Sequence, residues 1–88
     1  MGITEWWASG SAMHHMINDH GVEWREVEEV LVQELPFRRI RTVRGEKRYV
    51  LHGATDGGRR LTIVFALEGP IARVITAYDT PGGQDYDG

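Results

Sequence analysis

Three glycine-bearing turns cut the second half of the chain into four extended segments, and this punctuation constrains the fold more than anything else in the sequence. Arg44-Gly45-Glu46, Asp56-Gly57-Gly58 and Glu68-Gly69-Pro70 separate Phe37–Val43, Lys47–Thr55, Leu61–Leu67 and Ile71–Tyr78. The segments are rich in β-branched and aromatic residues, and the connections are too short for anything but hairpins. Neighbouring strands must therefore run antiparallel, as a meander. In the third segment Leu61, Ile63, Phe65 and Leu67 share one face, and Thr62, Val64 and Ala66 the other. Both faces are apolar or small, which predicts a position at the centre of the sheet.

The first half reads differently. Ile3–Trp7 is short and rich in β-formers, so it predicts a first strand. Ser9-Gly10-Ser11 breaks the chain and offers a capping hydroxyl. Ala12–His20 follows as a helix with Met13, Met16, Ile17 and His20 on one face, and Gly21 suits the position just past its end. Trp24–Glu34 predicts a second helix with an apolar stripe of Trp24, Val27, Val30 and Leu31, stopped by Pro36. The expected architecture is α+β, in the order β-α-α-β-β-β-β. Its two helices pack on one face of an antiparallel four- to five-stranded meander sheet. Residues 1–80 make one small domain, and residues 81–88 an acidic tail expected to be flexible.

Charge divides along the same line. Residues 1–35 carry seven acids and one base, and residues 36–78 carry nine bases and three acids, so a net charge of −3 hides a basic sheet behind an acidic helical layer. A local excess of that size attracts phosphates. The alternative is that long arginine stems cover exposed sheet and their heads are solvated. There is no cysteine, hence no disulfide or thiolate site. No apolar run is long enough to span a membrane, and the N-terminus lacks a signal-like pattern. These features fit a cytoplasmic protein with no membrane association. The four histidines have no convergent spacing for a metal, so neither metal nor cofactor is expected.

Several stretches together resemble a known family. Residues 12–31, with His20-Gly21-Val22 followed by an acidic helix ending in Val30-Leu31, resemble the helical region of BrnT-like toxins. Lys47-Arg48-Tyr49-Val50 resembles the family's Arg-aromatic-Val strand, and Gly53 to Leu61 its Gly-x-Thr-x-x-Gly-Arg-x-Leu hairpin. Arg73-Val74-Ile75-Thr76-Ala77 resembles its Arg-Ile-Ile-Ser-Ala strand end. The resemblance covers most of residues 6–78 and implies a RelE-like fold. It also implies a metal-independent endoribonuclease, the toxin of a toxin–antitoxin pair, with RNA and an antitoxin protein as partners. Tyr78 stands where the family usually has Arg, and residues 79–88 are too short for its usual C-terminal helix. Those departures bear on catalysis. The alternative is a non-catalytic module of the same fold that binds RNA or protein.

RNA cleavage by 2′-hydroxyl attack needs a proton acceptor, a donor and positive charge at the phosphate. His52 and Arg48 are four residues apart in one strand and so share a face. Arg48, His52, Arg73 and Tyr78 are the candidate catalytic set, with His52 as proton shuttle. The plainer roles are a half-buried strand histidine, an ion pair of Arg73 with a helix glutamate, and a tyrosine covering the sheet edge. Arg39, Arg41, Arg44, Lys47, Arg59 and Arg60 are the candidate RNA contacts. His20, at a helix end, is a structural residue or a site residue; His15 is a weaker candidate of the same kind. Trp6 and Trp7 are consecutive, so one must face away from the interior and offer a partner or homodimer contact.

Overall fold

The computed structural model describes residues 2–81. The elements run β1 (Glu5–Trp7), α1 (Gly10–His20), α2 (Trp24–Leu31), β2 (Arg38–Val43), β3 (Glu46–Ala54), β4 (Arg60–Glu68) and β5 (Ile71–Asp79). They build one five-stranded sheet in the order β1-β5-β4-β3-β2. The acidic stretch 82–88 lies outside the described residues. Among those described, no helix is long and apolar enough to cross a membrane.

The meander β2-β3-β4-β5 is antiparallel throughout, with β4 interior as its two-faced apolar pattern requires. The sheet as a whole is not antiparallel: β1 pairs parallel with β5, Glu5 opposite Ile71 and Trp7 opposite Arg73. This corrects the expectation, and the path of the chain gives the reason. After Trp7 the chain keeps its direction along the outer edge of β5, first as strand, then as α1. Ser11, Ala12 and His15 line one groove with Arg73, Val74 and Ile75, and the His20 carbonyl lies where Arg59 also grips Asp79. A strand that hands over to a helix along the same edge must run the way the helix runs.

Local chemistry fixes the helix ends. The Ser9 hydroxyl accepts from the Ala12 amide, so α1 starts two residues earlier than its apolar pattern. Gly21 takes the left-handed conformation, and the chain closes with Gly21 N–H donating to the Ile17 carbonyl and Val22 N–H to that of Met16. The Glu26 side chain accepts from the Glu23 amide at the start of α2. α2 stops at Leu31 rather than Glu34, and Glu34 itself adopts a left-handed backbone two residues before Pro36.

The core lies between α2 and one face of the sheet. Phe65, Ile63 and Leu61 of β4 meet Leu51 of β3, Val74 and Ala77 of β5, and Val27, Val30 and Leu31 of α2. Burying each of the large side chains contributes about 1.5–3 kcal/mol. Phe37, Tyr49 and Phe65 form an aromatic cluster with ring centroids 5.3–5.8 Å apart. Gly53 lets α2 settle onto β3, because a Cβ there would stand 2.5 Å from Leu35 Cδ1 and 2.6 Å from Val30 Cγ1. α1 lies at the β5 edge and buries only Met16; Met13 and Ile17, expected on its inner face, are exposed. A helix against one edge has room for a narrower stripe than a helix against a face.

Candidate nucleic-acid interface

The helices take the sheet face that carries Leu51, Gly53, Leu61 and Phe65. Alternation along β3 therefore turns Arg48, Val50 and His52 to the other, open face. Register carries this assignment across the sheet. Tyr78 is opposite Thr62, and Thr62 opposite His52. Thr76 is opposite Val64, Val64 opposite Val50, and Val50 opposite Arg38. Arg41 is opposite Arg48, Arg73 opposite Ala66, and Arg60 opposite Ala54.

Two β-bulges decide which residues share this face. In β2 the register slips between Arg39 and Arg41, which leaves Ile40 as the extra residue. Strict alternation would put Arg39 beside Arg41. Instead Arg38 and Arg41 take the open face, and Arg39 is opposite Tyr49 on the helix side. In β5 the slip leaves Ile75 unpaired, so Val74 packs in the core while Thr76 and Tyr78 face outward. Val74 and Tyr78, which simple counting places together, are on opposite faces.

The open face has two parts. The first is a depression of about 580 Å³ lined by Arg38, Ile40, Val50, His52, Thr62, Val64, Tyr78 and Pro81. His52 Nδ1 is 3.0 Å from the Thr62 hydroxyl, which is 2.9 Å from that of Thr80. Burial of the ring, and then the positive charge of Arg38, push the His52 pKa below its ordinary value, so the ring is neutral at pH 7. The Tyr78 ring centroid is 5.7 Å from that of His20, and His20 is 5.1 Å from His15, so a string of rings leads from the depression round the β5 edge to α1.

The second part is an ion-pair strap. Glu46 of β3 holds Arg73 of β5 across Ala66 of β4, Arg73 Nε reaches Glu68 at 3.7 Å, and Arg48 Nη2 is 3.4 Å from Glu46. The hydrogen bond from Arg73, outweighing burial, lowers the Glu46 pKa, so the carboxylate stays charged. Arg73 is thus paired with carboxylates, but these are the strand residues Glu46 and Glu68 and not the helix glutamate expected. Arg48 is held less firmly: its ion pair with Glu46 is long, and among the described residues its buried Nε has no hydrogen-bond partner.

The candidate catalytic set is accordingly divided. His52 and Tyr78 flank Thr62 in one cross-strand row. Arg48 is on the same face but four residues along β3, about 13 Å at ~3.3 Å per residue, and it turns toward Glu46. Arg38, absent from the candidate contacts, is the arginine beside His52, because only the bulge brings it there. Of the candidate RNA contacts, Arg41 and Arg60 are exposed on the open face. Arg39 and Lys47 are exposed on the opposite parity, and Arg44 sits in the β2–β3 turn.

Arg59 is elsewhere altogether. Nε and Nη2 donate to Asp79 at 2.6 and 3.2 Å, Nη1 to the Gly21 carbonyl and Glu26 at 2.9 Å each, and Nη2 also to the His20 carbonyl at 3.2 Å. A guanidinium has five donors, and all are engaged within the protein, so Arg59 acts as a structural clamp. His20 joins the same corner through its carbonyl, and His15 pairs with Asp19 at 2.6 Å on the exposed side of α1. Among the described residues no cluster of three His, Asp or Glu side chains is arranged to hold a metal. Comparison of the sequence with protein-family models and with curated proteins finds no match to either.

Proposed function

We propose that the open face of the sheet binds RNA. The observation that carries this is the depression that holds His52 and Tyr78 with the exposed Arg38 in its lining, and the exposed Arg41 and Arg60 on the same face, away from α2. Phosphates meet cations at its rim, and bases meet rings and apolar side chains inside it. The test is binding of a labelled single-stranded RNA at 50 and 200 mM salt (about these values). Affinity falls steeply with salt, because released counterions drive such contacts. The double variant Arg38→Ala/Arg41→Ala loses about tenfold or more at low salt. Salt-independent binding, or none at low salt, refutes the reading.

A second reading rests on His52. A neutral imidazole fixed by the Thr62 hydroxyl in a depression beside an arginine is placed to accept a proton from a ribose 2′-hydroxyl. It supports metal-independent cleavage of the kind the BrnT-like resemblance implies, within a RelE-like fold. An antitoxin with an acidic segment would then cover the same arginines. Cleavage of a mixed RNA pool in the presence of chelator tests it. His52→Ala lowers the rate about tenfold or more with the fold intact, and no cleavage by the unaltered protein, with or without ribosomes, leaves the binding reading alone standing.

A further inference from the structure

On the open face, cations and rings lie toward opposite edges. Arg38 and Arg41 are on β2, one edge strand. Trp7 is on β1, the other edge strand, and Tyr78 on β5 beside it. Trp6 packs against the core and its indole N–H donates to Glu28 at 3.3 Å. Alternation then turns Trp7 the other way, opposite Arg73 in the register and 45% exposed. Extending the Tyr49–Phe65 register by one residue brings Arg48 beside Ala66, and one cross-strand row on this face then runs from Arg41 through Arg48, Ala66 and Arg73 to Trp7. Four strand spacings of ~4.8 Å make it about 19 Å long.

The middle of this row does not repel a phosphate chain. Arg48 and Arg73 offset the charges of Glu46 and Glu68. Trp7 is also not the centre of an apolar patch. Its neighbours on the face are Arg73, the exposed Glu5 and, opposite Glu5, the half-buried Ile71, so charged groups flank the indole; the exposed Met13 and Ile17 belong to α1. A protein interface needs roughly 800 Å² per partner with an apolar centre. An isolated indole at the end of a row that begins with cations suits a single planar group on a charged chain.

The geometry assigns Trp7 as a base-stacking residue: single-stranded nucleic acid crosses the strands from the β2 arginines and lays one base on the indole. This rests on the RNA-binding reading and extends it, because it names single strands as the ligand class and gives the path a direction. The experiment compares an RNA of about ten nucleotides with inorganic polyphosphate, which carries charge but no bases. Stacking on one aromatic side chain is worth about tenfold in affinity. Trp7→Leu, which keeps apolar bulk on the edge strand, lowers RNA affinity about tenfold; Trp7→Phe restores most of it, and neither changes polyphosphate affinity. Arg41→Ala weakens both ligands. If Trp7→Leu leaves RNA affinity unchanged while Arg41→Ala lowers it, the RNA-binding reading stands and the stacking assignment falls. An equal loss for RNA and polyphosphate in Trp7→Leu also overturns it, since that marks a structural role. Failure of the unaltered protein to bind either ligand overturns both.

Discussion

Arginine has three different fates in this protein, and surroundings decide among them. Arg59 is consumed by structure, Arg73 and Arg48 form the strap, and Arg38, Arg41 and Arg60 face solvent. Arg59→Ala removes five hydrogen bonds, several of them charge-assisted, and leaves Glu26 and two carbonyls to find water. A loss of about 2 kcal/mol in unfolding free energy is expected by urea titration. Lysine does not restore it, because three donors on one atom do not span the fork. The loss depends on pH. The hydrogen bond from Arg59 lowers the Asp79 pKa; for Glu26, burial raises it, but the Glu23 amide and Arg59 lower it further. Both carboxyls titrate lower when folded than when unfolded. Their contribution is fully present above about pH 4–5 and is lost as pH falls through the folded values. The gap between Arg59→Ala and the unaltered protein therefore narrows in acid. His52 gives the opposite dependence in binding. Its depressed pKa keeps it neutral when free, and a bound phosphate favours its protonated form, so RNA affinity rises as pH falls below about 6.5. His52→Gln removes that rise, measured between pH 5.5 and 7.5 (about these values).

The turns made the strands legible from the sequence. Glycine at each connection left no alternative to hairpins, and the two-sided apolar pattern of β4 fixed its central place. The bulges were not legible. An extra Ile40 or Ile75 looks like any other strand residue, yet each reverses the parity of what precedes it. Alternation counted from Arg41 puts Arg39 on its face and Arg38 off it, and the bulge reverses the two. The clamp role of Arg59 was hidden for a similar reason: its carbonyl partners at the α1–α2 corner are some 38 residues away in sequence. The pairing of β1 was invisible because nothing in three residues records direction. In the sequence Gly53 is part of a hairpin motif, and the structure gives it a packing role as well. Gly53→Ala drives a methyl into Leu35 and Val30 and is expected to cost about 1–3 kcal/mol by overpacking. An unchanged melting temperature would show that α2 can lift off β3 without penalty.

At the scale of the molecule, Glu23, Glu26, Glu28, Glu29 and Glu34 lie on the helical side, and the exposed Arg38, Arg41 and Arg60 lie on the open sheet face beside the strap, in which Glu46 and Glu68 offset Arg48 and Arg73. The net charge of −3 therefore says little about what approaches which side. A polyanion meets these three arginines within a Debye length of about 8 Å at physiological salt. The helix glutamates, on the far side, oppose binding only weakly.

The parallel β1–β5 pair has a consequence for folding order. The meander closes only hairpins, which is entropically cheap. Docking β1 on β5 closes a loop of more than sixty residues for three strand pairs and the Thr4–Pro70 backbone bond. It is the contact of highest sequence separation and smallest return, so it forms last and opens first. Amide exchange in β1 is expected to be the fastest of the five strands, without global unfolding. Each such opening withdraws Trp7 from the open face while the β2 arginines stay in place. Occupancy of the indole by a ligand would then slow exchange at residues 4–7, which makes the N-terminus the part of the chain whose folding the ligand completes.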